Sequence, residues 1–328
     1  MMLDAAVVNF IDQQKLLPFG ATVIVGFSGG PDSVFLLQQL KLLKESYSLQ
    51  LIAAHLNHGW RPEAEQEAQW CAHMAHDLGI EFVTAHAQDF PELTADGSQE
   101  ALGRTVRRAF FNRVAQKYTS LATPVRIALA HHEDDQIETF FIRLIRGAGL
   151  EGLTGIAAQD GIYIRPLLPI NKATILATLT SNNIPYLVDP TNMQTTYLRN
   201  CIRHQALPAL AACDHRFSAH VIKAMKHLAQ AEDFIAQQVA TYFATIRLVK
   251  GETVWIDREA LLAAHPFLRM RTVLYWLTQA GVPFTPSERL FAEIERFLEQ
   301  PGNKSHVFYQ QWLIAKEANK ATIYRINQ

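Results

Sequence analysis

Cysteine is scarce in this chain of 328 residues: Cys71, Cys201 and Cys213 lie far apart and form no C-x-x-C pair. That spacing excludes a disulfide framework and a zinc knuckle, and leaves three buried or half-buried thiols as the plain expectation. No apolar run is long enough to span a bilayer, and the opening MMLDAAVVNFIDQQK carries Asp4 and Asp12 where a secretory signal would be basic. A cytoplasmic protein without a membrane partner is expected. Low-complexity segments and internal repeats are absent, and with 49% hydrophobic and 19% charged residues the chain is not a disordered one. A large charge of one sign is missing as well, since the formal net charge is −1.

Resolved along the chain, that small net charge hides strong polarity. From 63 to 100 there are nine carboxylates and no Lys or Arg; from 101 to 126 there are six basic residues and no acid. A second basic stretch covers 199–227, where Arg199, Arg203, Arg216, Lys223 and Lys226 face only Asp214. Such runs are solvated helix faces or phosphate-facing surfaces, and charge alone leaves both open.

The hydrophobic pattern alternates short β-branched runs with helical spacing. Strands are predicted at 23–27, 51–55, 80–86 and 125–130, and helices at 34–43, 64–78, 98–118 (Ser98 as N-cap) and through Ile137, Phe140, Phe141, Leu144 and Ile145 to an end near Gly147. This alternation predicts an α/β fold: a parallel Rossmann-like sheet covered on both faces, with ligands at the carboxyl ends of its strands. From 200 to 247 only helical periodicity is visible. Beyond 251 a short strand, three helices (258–264, 266–280, 287–299) and β-like runs at 305–316 and 321–326 predict a small α+β unit.

Between the first strand and its helix stands FSGGPDSV. A glycine-rich turn there aims backbone N–H groups at one spot, the positive end of the helix dipole adds to them, and an anion is the natural occupant. Pro31 suits the first helical position, and Ser28 and Ser33 offer hydroxyls. The turn contains neither G-x-x-x-x-G-K-S/T nor G-x-G-x-x-G, so the lysine of a mechanoenzyme phosphate loop is missing. What stands instead is S-G-G-x-D-S.

This motif resembles the pyrophosphate-binding turn of the ATP pyrophosphatases. Three further clusters, HLNHGWRPEAEQEA (55–68), AHHEDDQIETFFIRLIRGAGLEGLTGI (130–156) and RPLLP with DPTNMQTTYLRNCIRHQALPAL (165–169, 189–210), resemble the tRNA(Ile)-lysidine synthetase family in order over roughly 20–210. The resemblance implies ATP and Mg²⁺ as cofactors, and L-lysine and a CAU-anticodon tRNA(Ile) as partners. It implies adenylation of the wobble cytidine at its C2 oxygen and displacement of AMP by the lysine ε-amine. It also implies an adenine nucleotide α-hydrolase-like catalytic domain over 1–198, a helical connector over 199–250 and a small tRNA-binding domain over 251–328. The chain stops before the further domain of longer members, which makes a short form the expectation, and its oligomeric state stays open, a homodimer included.

Residue by residue, the resemblance implies that Ser28, Gly29, Gly30, Pro31, Asp32 and Ser33 hold the nucleotide, with Asp32 also on the metal and Asp134 a weaker metal candidate. Asp135 and Glu138, spaced i, i+3 on one helix face, could grip the ammonium of lysine; the plain alternative is an exposed acidic pair at a helix N-terminus. His131 is preferred over His132 for the reacting nucleotide, and Arg107 over Arg104 for the α-phosphate. The family reads E-x-x-A-R-x-x-R-Y where this chain has Gly103 for Ala and Arg108 for Tyr. His55, Asn57 and His58 are expected around a nucleoside, with local turn bonding as the alternative for Asn57. Arg143 and Arg146 could close over substrate, and Arg199, Asn200 and Arg203 are candidates for RNA backbone contact. A tRNA thiolase of the same superfamily, a non-catalytic RNA-binding protein and a small-molecule amidotransferase are the competing readings.

Overall fold

The computed structural model describes residues 2–60, 62–93, 99–119, 123–188, 198–250 and 253–326. The DPTN run at 189–192 and the Ser98 cap lie outside the described residues. The chain divides into two compact units, Met1–Leu228 and Ala229–Gln328.

In the first unit the strands are β1 Thr22–Gly26, β2 Gln50–Asn57, β3 Glu81–His86, β4 Val125–Ala128, β5 Gln159–Asp160 and β6 Tyr163–Ile164. They form one sheet in the order β3-β2-β1-β4-β6-β5, parallel except for the β5–β6 hairpin. Its helices are α1 Ala5–Gln14, α2 Pro31–Leu43, α3 Ala64–Asp77, α4 Gln99–Tyr118, α5 Glu133–Ile145, α6 Lys172–Ser181, α7 Leu198–Cys201 and α8 Leu207–Cys213. Between α7 and α8, Ile202–Ala206 winds as π-helix. The helix α9 Phe217–Ile246 comes next.

The apolar run of β1 is continuous in sequence because both faces are buried, yet its side chains alternate between two cores. Val23 and Val25 pack with α2 residues such as Phe35 and Leu36, whereas Ile24 packs on the opposite side with Phe110 and Val114 of α4. Each of these three strand side chains is completely buried, worth about 1.5–3 kcal/mol apiece relative to exposure. The strand register sets Val25 opposite Ala53 of β2 and Ala128 of β4. The segments leaving β1, β2 and β4 therefore emerge side by side at the carboxyl edge. Between β1 and β4 the strand order reverses, which is where open α/β sheets open a crevice.

The second unit has an antiparallel sheet of β7 Arg247–Lys250, β8 Thr253–Asp257, β9 Lys304–Tyr309, β10 Trp312–Glu317 and β11 Lys320–Arg325, in the order β7-β8-β11-β10-β9. Its core joins Ile256, Ile314 and Ala321 of the sheet to Leu261, Trp276, Leu277 and Ile294 of α10 Arg258–Ala263, α11 Pro266–Gln279 and α12 Glu288–Glu299. The run read as β-like over 305–316 is two strands, broken at Gln310, whose φ of 44° makes the turn. β7 begins where only helical periodicity is visible in the sequence. No helix among the described residues is long and apolar enough to cross a membrane.

Candidate active site

The turn after β1 is built from its own side chains. Ser33 Oγ donates to the Gly30 carbonyl at 2.9 Å and accepts from the Ser28 N–H at 3.2 Å, which draws the loop over the start of α2. Gly30 is the N-cap and Pro31 the first helical residue, as the sequence predicts. Gly29 has φ +78°, and a Cβ there would stand 2.7 Å from Leu187 Cδ1 and 3.0 Å from Cys71 Sγ. Conformation and space both require glycine. The Leu187 N–H donates to the Gly29 carbonyl at 2.9 Å, a strap across the turn.

Beside the turn lies a cleft of 1230 Å³. Ser28, Gly30, Pro31 and Asp32 line one wall, His55, Asn57 and His58 from β2 another, and Asp135, Glu138 and Arg203 a third, with Arg107 of α4 also on the lining. Three of its polar neighbours, Glu67, Lys172 and His204, receive no role from the sequence, and a fourth, His132, is set aside there in favour of His131. Arg104, His131, Arg143, Arg146, Arg199 and Asn200 are not on the lining. Arg143 donates instead to the carbonyls of Gly152 and Gly155, both at 2.8 Å, bracing the loop after α5. Arg146 is exposed at the C-cap of α5.

Lys172 supplies the cation that the turn itself lacks. Its Nζ lies 2.5 Å from Asp32 Oδ1, and its backbone N–H donates to Asp134 Oδ2 at 2.8 Å. His132 is buried against three carboxylates, its Nε2 3.7 Å from Asp32 and 3.6 Å from Asp135, its Nδ1 3.4 Å from Asp134. Burial opposes its protonation, but those carboxylates outweigh burial and raise its pKa. Its neighbour His131 behaves oppositely. Burial lowers it to about 4, Asp135 resists, and Arg165, Arg199 and Arg104 push it further down. His131 Nδ1 has no hydrogen-bond partner among the described residues.

Asp135 and Glu138 are not the exposed acidic pair of the plain alternative, since both are buried, Glu138 to 1% exposure. Glu138 Oε1 accepts from Arg203 Nε at 2.5 Å, while Oε2 accepts from Arg199 Nε at 2.8 Å and Arg203 Nη2 at 3.0 Å. Asp135 Oδ1 accepts from Arg199 Nη2 at 2.5 Å, and Oδ2 from the His132 backbone N–H at 3.0 Å. Burial would raise the Asp135 pKa, but His132, Arg199 and the backbone N–H hold it below the usual carboxylate range. Arg203 sits in the π-helical turn, a distortion that re-aims side chains.

On the β2 side, His55 Nδ1 donates to the Phe27 carbonyl at 2.9 Å and burial lowers its pKa. Asn57 does make the local turn bonds: its Oδ1 accepts from the Gly59 N–H at 2.8 Å and its Nδ2 donates to Glu65 at 3.3 Å. Among the described residues no three His, Cys, Asp or Glu side chains cluster to hold a metal. A Mg²⁺ held by one or two carboxylates plus phosphate oxygens needs no such cage, and Asp32 on the wall beside the turn fits that donor set.

A parallel sheet with a serine-braced glycine turn at its switch point, facing buried carboxylates and cations, defines an α/β nucleotide-binding protein of the PP-loop class. The PP-loop domain description matches residues 7–210. A tRNA(Ile)-lysidine synthase of Clostridium perfringens is 32% identical over 262 residues, 77% of this chain and 54% of that protein. Another, of Oceanobacillus iheyensis, is 30% identical over 351 residues, 99% of this chain and 72% of that protein. The chain belongs to the tRNA(Ile)-lysidine synthase family of PP-loop proteins. It spans about half to two thirds of the length of the first relatives it matches. Among solved structures, a U34-tRNA thiolase of Methanococcus maripaludis, determined with its 4Fe-4S cluster, shares the fold at a TM-score of 0.57 and 18% identity, over 69% of this chain and 78% of that one.

Proposed function

We propose that this chain joins L-lysine to C2 of the wobble cytidine of a CAU-anticodon tRNA(Ile) in the cytoplasm, consuming ATP with Mg²⁺ and releasing AMP and pyrophosphate. In this reading 1–198 is the catalytic part, 199–250 a connector and 251–328 a small tRNA-binding part. The cytidine C2 oxygen attacks the α-phosphate, pyrophosphate leaves, and the lysine ε-amine then attacks C2 as AMP departs. The observation that carries the reading is one cleft lined both by the S-G-G-x-D-S turn and by a buried i, i+3 carboxylate pair.

The turn and the α2 N-terminus receive the pyrophosphate, with Lys172 and Arg107 offsetting its charge. Mg²⁺, when bound through Asp32, would neutralise phosphate oxygens. An ionised carboxylate accepts about four hydrogen bonds. Glu138 uses three acceptor sites and Asp135 two, which leaves about three for the donors of an ammonium group. Arg199 and Arg203 thus fix the two carboxylates without exhausting their capacity to accept from lysine. One of these carboxylates takes the proton released by the attacking amine.

The competing thiolase reading gains no support from the thiols. Cys71 is buried, with its pKa raised to about 12 by burial, and the three cysteines form no disulfide. The test incubates the purified protein with Mg²⁺-ATP, radiolabelled lysine and a CAU-anticodon isoleucine tRNA transcript, beside a transcript with the wobble C changed to U. Label in the first alone is expected. Label in neither, with tRNA binding intact, overturns the reading.

A further inference from the structure

The cleft carries an aromatic surface that the chemistry above leaves unused. Trp60, three residues beyond the end of β2, lines the cleft and stays 52% exposed. Its indole lies over the His58 imidazole, ring centroids 4.4 Å apart and planes 25° from parallel. The position of the indole is set by α4, where Gly103 is buried and a Cβ would stand 2.7 Å from Trp60 Cη2 and 3.2 Å from Cζ2. A glycine inside a helix sacrifices propensity, and here the helix gains from it only room for the indole edge.

His58 is fixed in turn. Its Nε2 lies 3.3 Å from Arg107 Nη2, and because a guanidinium only donates, Nε2 accepts and the ring proton resides on Nδ1. Burial first, then the Arg107 charge, lower the His58 pKa to about 4, so the ring is neutral near neutral pH. A neutral imidazole backing a half-open indole offers a flat π surface rather than a second phosphate site. Flat heteroaromatic rings are what such a surface binds, and each substrate of the proposed reaction except lysine carries one.

We propose that Trp60, seated on Gly103 and stacked on His58, is the platform on which a nucleobase of the substrates stacks in the cleft. The residue that departs from the family pattern in α4 and the tryptophan after β2 then form one device: Gly103 exists to admit the indole. The proposal rests on the reading of the cleft as a nucleotide and RNA site. Adenine of ATP and a base of the RNA share the required chemistry.

The test measures equilibrium binding of Mg²⁺-ATP and, separately, of a CAU-anticodon stem–loop RNA to the full chain and to Trp60→Ala, Trp60→Phe, Gly103→Ala and the Trp60→Ala/Gly103→Ala pair. Trp60→Ala should weaken one probe by roughly 5- to 150-fold, the size of one base–aromatic stack, while Trp60→Phe retains most of the affinity. Gly103→Ala should weaken the same probe, and add no further loss in the Trp60→Ala background, where its Cβ meets no indole. Loss confined to ATP assigns the platform to adenine; loss confined to the stem–loop assigns it to an RNA base. Trp60→Ala binding both probes like the unaltered protein overturns the platform alone. An unaltered protein that binds neither probe overturns the nucleotide reading and the platform with it.

Discussion

Replacing Glu138 with Gln keeps the shape of the side chain and removes the charge that two guanidiniums share. Three charge-assisted bonds end on this carboxylate, which is 1% exposed, from arginines whose side chains are 28% and 36% exposed. Removing one partner of a fully buried ion pair costs about 3–5 kcal/mol. Here both arginines reach solvent and can rehydrate, which reduces the expected loss to about 1–3 kcal/mol. For a unit the size of Met1–Leu228, each kcal/mol lowers Tm by about 2–4 °C, so a drop of roughly 2–12 °C is expected. Scanning calorimetry on the full chain measures it, with the exposed Glu45→Gln as a control that should stay within about 0.5 kcal/mol. A Glu138→Gln protein melting within about 1 °C of the unaltered one would refute a stabilising role for the Arg199 and Arg203 pairs with Glu138. Lysine transfer should fall by far more than the unfolded fraction accounts for, because Gln presents an amide donor where the ammonium needs an acceptor.

Gly29→Ala forces a Cβ into Leu187 and Cys71 at a positive φ, and should abolish ATP–pyrophosphate exchange in protein that still folds; retained exchange would dismiss the turn as the phosphate site. Lys172→Met removes the cation beside Asp32, so KM for ATP should rise at least about ten-fold with KM for lysine little changed; equal changes in both would argue for a merely structural pair. Acid stability has a defined sign. His131 is lowered to about 4 by burial, so between that value and the free 6.5 the unfolded chain binds a proton that the folded one refuses, and stability falls as pH drops through this window. His132, raised, acts in the opposite sense: its contribution is full below 6.5 and is lost as pH rises through its folded pKa. His131→Asn should therefore flatten the decline of the urea midpoint between about pH 7 and 5, and an unchanged decline would refute the assignment.

What could be read from the sequence was local. The β1 run, the SGGPDS turn and the α2 spacing are consecutive, so period and turn chemistry suffice, and the i, i+3 carboxylates share a face wherever their helix lies. The two-residue strands β5 and β6 are too short to show a period, and β7 comes directly after a 30-residue helix with no turn signal between them. Of the two adjacent histidines, only the chain path out of β4 decides that His132 meets the cleft and His131 does not. The cations were the least legible. Lys172 reaches Asp32 across 140 residues, and Arg199 and Arg203 reach Asp135 and Glu138 across more than 60, distances at which spacing carries no information. A basic stretch reads alike whether it faces RNA or a buried acid, because composition records charge and not the partner that neutralises it. The buried carboxylates are the half of this arrangement that needs an explanation. Two acidic side chains buried beneath the surface demand partners, and the arginines meet that demand while leaving about three acceptor sites open. Two guanidiniums balance the two carboxylates in charge but not in hydrogen-bond capacity, and it is on those open acceptor sites that the proposed lysine recognition rests.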